Sequence, residues 1–142
     1  MKRKDLATWL ALLAGWCGAP LLYLQGLRRW PLSAGLLALS ALGGYGAWRL
    51  RQYGLDDLAG AWLTPVGGLT LTWGTLQAMY FGLTTREVWN LRHNPQLTSD
   101  DDAGAGGGLT IAAVVLALGG GATVAISALV FAVQRYFELR GA

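Results

Sequence analysis

The chain has 142 residues, of which 54% are hydrophobic and only 13% charged, with a formal net charge of +3. A soluble domain of this size has more surface than so few charges can cover, so the composition argues against an ordinary soluble fold. The basic excess does not describe a nucleic-acid face either, because Lys and Arg sit at the ends of apolar runs, as "MKRK", "RR", "RLR" and "QRYFELR".

Four apolar runs have about the length that crosses hydrocarbon, roughly 20 residues. They are Leu6–Leu27, Pro31–Trp48, Leu58 to about Thr84, and Leu109–Val133, and none contains Asp, Glu, Lys, Arg or His. The expectation is an all-α integral membrane protein with four transmembrane helices, the first two forming a hairpin. An ionisable group at bilayer depth usually marks an ion or proton path, and these runs carry no such mark.

The first run imitates a secretory signal, with a basic head before an apolar stretch. Cleavage after Cys17-Gly18-Ala19 would place Pro20 next, and Trp16 separates Gly15 from Cys17 where a lipoprotein needs a small residue. The run also continues through "LLYLQGL", so an uncleaved first span is expected. Pro20 has no backbone donor and clashes with the carbonyl of Trp16, so the helix should kink there, or end and restart. A carbonyl freed in lipid needs a neighbouring helix or water, which places this stretch against protein.

"GWCGAPLLYL" resembles the signature of the TM-two domain family, small proteins built on a two-helix membrane hairpin. Gly15, Gly18 and Tyr23 match in register, and Trp48 matches the end of the second span. Pro20 stands where that family has His, Leu22 where it has Phe, Gly26 falls one place late, and no Asp follows Trp48 at the family's spacing. The resemblance covers residues 1–52 and implies a hairpin, not an activity.

Pro31 suits the first turn of the second span, and Asp56 or Asp57 is placed to cap the third. Thr84 stands three residues before Glu87, a capping-box spacing, and Asn94-Pro95 should end the helix that this box would open. That piece is either a short interfacial helix or a continuation of the third span. "QLTSDDDAGAGGG" has the composition of a flexible acidic-then-glycine linker. The organisation expected is therefore a hairpin over 1–52, a third helix with an interfacial helix over 53–95, a linker over 96–108, and a fourth helix with a cytoplasmic tail over 109–142.

With four crossings and the N-terminus inside, the inner segments hold Lys2, Arg3, Lys4, Arg49, Arg51, Arg135 and Arg140, against Arg28, Arg29, Arg86 and Arg92 outside. Positive charge therefore places both termini in the cytoplasm of a bacterial inner-membrane protein. Trp9, Tyr23, Trp30, Trp48, Tyr53, Trp89 and Tyr136 fall near the expected interfaces. Trp16, Trp62 and Trp73 do not, and read as lipid-facing or as packing on a partner.

Small residues recur four apart, which places them on one helix face. Ala7, Ala11, Gly15 and Ala19 do so in the first run; Gly74, Ala78 and Gly82 in the third; Ala113, Ala117, Gly121 and Ala125 in the fourth. In lipid, close backbone approach is a main source of helix association. These faces serve either internal packing or docking on another protein, with the fourth span, on its loose tether, the best docking candidate. Gly119–Gly121 weakens the helix in mid-span and needs compensating contact.

No catalytic set can be assembled. His93 is the only histidine and reads as solvated beside Asn94-Pro95, Cys17 is alone, and Asp100–Asp102 read as solvated charge rather than a cation site. Glu87 and His93 do not face each other. The function expected is a non-catalytic accessory subunit of a larger inner-membrane complex, such as a respiratory or photosynthetic one. It would need no cofactor, and its partners would be other membrane subunits and lipids. The alternatives are a small oligomeric transporter or channel, and a self-associating TM-two-like protein.

Overall fold

The structure is a computed structural model and describes residues 1–141. It is all-helical. In chain order the helices are α1 (Lys4–Ala14), α2 (Ala19–Gln25), α3 (Trp30–Tyr53), α4 (Leu58–Leu83), α5 (Arg86–His93) and α6 (Gly108–Gly141). Single 3-10 turns occupy Gly15–Cys17, Gly26–Arg29 and Asp102–Gly104.

Helix α4 is the common neighbour of α1, α3 and α6. It runs antiparallel to α3, with Gly43 against Gly67 near the middle and Arg49 on Asp57 at the connecting turn. It also runs antiparallel to α6: Gly82 meets Thr110 and Val114, Gly121 meets Thr75, and Gly68 meets Ala128. Glycine and alanine make these approaches, so the helices meet nearly backbone to backbone. Asp57, the nearer of the two candidate aspartates, caps α4 by accepting the Gly60 N–H at 2.7 Å.

The burial pattern is inverted relative to a soluble bundle. Ala7, Ala11, Ala78, Ala113 and Ala117 are fully buried, with Thr8 and Thr110 beside them, whereas Leu69, Leu76, Trp62, Ile126 and Leu129 are about half exposed or more. Among the described residues α6 is the one helix both long and apolar enough to cross a membrane. Helices α3 and α4, at 24 and 26 residues, have the length, but glycine, threonine and aromatic residues dilute their hydropathy.

The first apolar run departs from expectation. Leu6–Leu27 is not one crossing helix but a hairpin within itself. Helix α1 ends at Ala14, Gly18 takes a left-handed conformation at φ 76°, and α2 restarts with Pro20 in its first turn. Helix α2 then folds back along α1. The Arg3 N–H reaches Tyr23 Oη at 3.0 Å, and the Lys2 ammonium donates to the Leu24 carbonyl. Only Gly adopts φ near 76° without strain, and Pro is pre-organised for the helical turn after it. The 1–52 segment is thus a helical hairpin followed by a single long helix, not two paired spans.

This fold-back changes where the ends lie. The N-terminus sits at the C-terminal end of α4, the upper end of the bundle, where the Lys4 ammonium donates to the Thr84 carbonyl at 2.6 Å. The C-terminal turns of α6 lie beside Leu58 and Ala61 at the lower end. The two termini therefore lie at opposite ends of the bundle, not together as four crossings would place them.

Two smaller expectations also change. Thr84 does not open a capping box: its hydroxyl donates to the Tyr80 carbonyl at 2.6 Å and it closes α4, while Thr85 precedes α5. Helix α5 starts one residue later than the box requires, so Glu87 falls at its second position rather than its third. Residues 96–108, which composition marks as a linker without packed structure, fold onto α5, with Ala103 and Gly104 buried.

A buried polar clasp and the notch below it

The upper end is held by side chains that are unusually polar for so apolar a chain. Trp89 and Asn90 on α5, and Asn94 at its C-cap, are almost fully buried. Asn94 takes both backbone groups of Lys2: its Oδ1 accepts the Lys2 N–H at 2.6 Å and its Nδ2 donates to the Lys2 carbonyl at 3.0 Å. Trp89 Nε1 donates to the same carbonyl at 2.9 Å. Asn90 Nδ2 gathers the carbonyls of Ser99 at 3.0 Å and Asp101 at 2.9 Å, tying 96–108 down. The asparagines lie four apart, so one helix face grips the N-terminus and the 96–108 segment together.

Lys4 is buried to 5% exposure, and burial pulls its ammonium pKa below the usual lysine value, with neighbouring Asp5 opposing. The Thr110 hydroxyl donates to Asp5, joining α6 to the same knot. The His93 ring packs against Trp89 at a tilt of 51°, with centroids 4.4 Å apart, and burial, then Lys2 and Arg92, lower its pKa. It is a half-buried residue of the clasp, not a free surface histidine.

Because the hairpin turns at Gly15–Gly18, it fills only the upper half of the space beside α4. Beneath it lies an open apolar notch of about 410 Å³, roofed by Trp16 and floored by Gly43, Gly44, Gly67 and Gly68. One hydroxyl pair crosses its wall. Ser40 Oγ lies 2.8 Å from both the Trp16 carbonyl and Thr70 Oγ1, and the Thr70 hydroxyl donates to the Gly67 carbonyl at 2.9 Å. A neighbouring helix thus satisfies the carbonyl that Pro20 is expected to release.

Of the small residues singled out by spacing, Ala7, Ala11, Gly15, Gly74, Ala78, Ala113, Ala117 and Gly121 are buried within the chain. Ala19, Gly82 and Ala125 are half-buried. The structure brings the first, third and fourth groups together around α4, so the α6 face expected to dock elsewhere is occupied from within. Gly119 and Gly120 have no neighbour within 4 Å, whereas Gly121 is covered by Thr75. Four-residue spacing in the other three runs gives no signal for Ser40, Thr70, Gly43 or Gly67, whose pairing shows only when the α3 face is set against α4. Asn90 and Asn94 are missed for a different reason, since a polar residue beside a helix stop carries the composition of a loop. The clasp contains no three-residue set of His, Cys, Asp or Glu arranged to hold a metal, among the described residues.

Comparison with protein-family models, with curated proteins and with solved structures finds no match for this chain.

Proposed function

We propose that the chain is an integral membrane protein of the bacterial inner membrane and a non-catalytic accessory subunit. The supporting observation is the inverted burial: alanine, glycine and threonine inside, half-exposed leucine, isoleucine and tryptophan outside. In water such a surface would aggregate, whereas in lipid it is the solvated face, and small residues are what hold helices together there. In this reading α3, α4 and α6 cross the bilayer and the α1–α2 hairpin enters from one side and returns. Non-crossing backbone at depth is tolerated only where protein satisfies it, as Ser40 does for Trp16.

Orientation comes from counting charge on this topology. The upper end carries Lys2, Arg3, Lys4, Arg28, Arg29, Arg86 and Arg92, against Arg49, Arg51, Arg135 and Arg140 below. The upper end with the N-terminus is therefore cytoplasmic and the C-terminus lies across the membrane.

The notch is where the partner packs. It has the depth of half a helix, a glycine floor that admits close approach, and its polar groups already paired, so an apolar transmembrane segment of another subunit suits it. The test is a pull-down of tagged protein from membranes solubilised in mild detergent, with G44L and A47L variants that fill the notch from exposed positions. A stoichiometric membrane partner lost in both variants supports the role. A chain that runs alone in native form overturns it.

A second reading, a small oligomeric transporter or channel, draws on the helix that breaks at half depth, since broken helices in transporters line substrate paths. Solute uptake into proteoliposomes that is abolished by G18A would favour it over the accessory role.

A further inference from the structure

A second hollow, separate from the notch, opens at the upper end between α2, α4 and α5. It holds about 410 Å³, within the usual range for a small-molecule site. Its lower wall is apolar, from Trp73 and Leu76 through Leu21 and Leu24, and its mouth is Arg92 and His93. From Trp73 to Phe81 it runs along eight residues of α4, a depth of about 12 Å at 1.5 Å per residue.

Three features show what would occupy it. Gln77 lines the wall at 9% exposure, and its Oε1 is buried with no hydrogen-bond partner. An amide can turn either its N–H or its carbonyl towards a bound group, and leaving it unpaired costs about 1–3 kcal/mol. At the rim the cleft shares Gln25 with an adjoining hollow lined by Arg28 and Arg29. No carboxylate lines either hollow, and among the described residues Arg28, Arg29 and Arg92 form no ion pair. Arg92 is held in place at the mouth by the Tyr80 hydroxyl, to which it donates.

We infer that this cleft seats one anionic glycerophospholipid of the cytoplasmic leaflet. An acyl chain lies along Trp73 and Leu76, the glycerol ester region meets the Gln77 amide, and the phosphate rests among Arg92, Arg28 and Arg29. Basic pockets between helices at the cytoplasmic surface recognise such headgroups, and each Lys or Arg near the surface is worth about fivefold in affinity. The inference rests on the membrane reading above and extends it with a ligand class.

The experiment is native mass spectrometry of the detergent-purified chain given equimolar phosphatidylglycerol, phosphatidylcholine and free oleate. Retention of one phosphatidylglycerol in preference to phosphatidylcholine is expected. R92Q should lower that retention about fivefold, and R28Q/R29Q together by more. Q77L should weaken it with the fold intact, as judged by an unchanged circular dichroism spectrum. L76W keeps every charge but fills the cleft, and should abolish retention. Equal retention of both lipids, preference for free oleate over the phospholipid, or unchanged retention in L76W would overturn the inference. Recovery of the chain from the soluble fraction would overturn the membrane reading and this inference with it. A membrane-bound chain without lipid preference overturns this inference alone.

Discussion

Gly15 and Gly74 meet backbone to backbone: a Cβ on Gly74 would lie 3.0 Å from the Ala11 carbonyl oxygen and 3.1 Å from Gly15 Cα. That contact lets the end of α1 press onto α4, and so sets the depth at which the hairpin turns. A larger residue must push the two helices apart, at about 1–3 kcal/mol for overpacking. G74V should therefore lower the unfolding midpoint in detergent, while G119A, with no neighbour within 4 Å, should leave it unchanged or raise it through helix propensity. Equal midpoints for the two variants would mean that the glycine contact does not hold the hairpin.

Ser40 pairs the Trp16 carbonyl from a different helix, at 2.8 Å. S40A removes that donor and leaves the carbonyl next to an apolar notch, an expected loss of about 1–3 kcal/mol. S40T keeps the hydroxyl and should restore most of it. Thermal unfolding of the three proteins in one detergent checks the order wild type, S40T, S40A.

The Arg49–Asp57 pair closes the lower turn between α3 and α4, with Arg49 Nη2 2.7 Å from Asp57 Oδ1 and Arg49 Nε 2.9 Å from Oδ2. Hydrogen bonding to Arg49, then to the Gly60 N–H, holds the Asp57 carboxyl below the usual carboxylate range, with desolvation opposing. A carboxyl whose folded pKa is depressed contributes stability above its unfolded value, and loses it as pH falls through the folded one. The wild type should thus lose stability below about pH 4 through this group. D57N should remove that part of the acid dependence, and R49Q, which lets the folded pKa rise toward the unfolded one, should shrink it. Acid titration of the unfolding midpoint in the three proteins reads the difference.

His93 works in a different window. Its depressed pKa means that the unfolded chain binds the proton more readily between the folded value and about 6.5. Stability should be level above that pH and fall as the buffer is acidified below it. H93F retains an aromatic ring on Trp89 and should flatten this slope. Unfolding midpoints at pH 7.5 and 5.5 compare the two, and an unchanged slope in H93F would assign the acid sensitivity elsewhere.

The helical class, the α3, α4 and α6 elements and the stop at Asn94 are legible in the sequence, because length, hydropathy and end signals are local. The fold-back of the first run is not. Gly18 and Pro20 signal a break, but a break permits both a kink and a reversal. The choice is made by distant partners: Asn94 and Trp89 grip Lys2, and Tyr23 receives Arg3. The same holds for the clasp, where Asn90 and Asn94 have the look of surface polar residues until the segment after them wraps back. Small-residue spacing marks which faces pack, yet it does not say that the α6 face is met by α4 rather than by another protein. Contacts between elements far apart in the chain have no signature in any one of them.

The reversal at Gly18 can be measured in cells. With the first run as a crossing helix, an even number of crossings puts both termini on the same side. With α1–α2 entering and leaving by the upper end, three crossings put them on opposite sides. On the orientation proposed above, the N-terminus is the cytoplasmic one. In a C17A background, which removes the only native cysteine, a single cysteine added ahead of Met1 should resist a membrane-impermeant maleimide applied to spheroplasts and react only after lysis. A cysteine appended after Ala142 should react in intact spheroplasts. A third, replacing exposed Leu55 in the α3–α4 turn, lies at the same end as the C-terminus in this topology and should label with it. In the four-crossing arrangement this turn would instead share a side with both termini, so the pattern across the three positions separates the arrangements even if the absolute orientation were inverted. Matching labelling of the two termini would return the first run to a crossing helix and remove the notch beneath it.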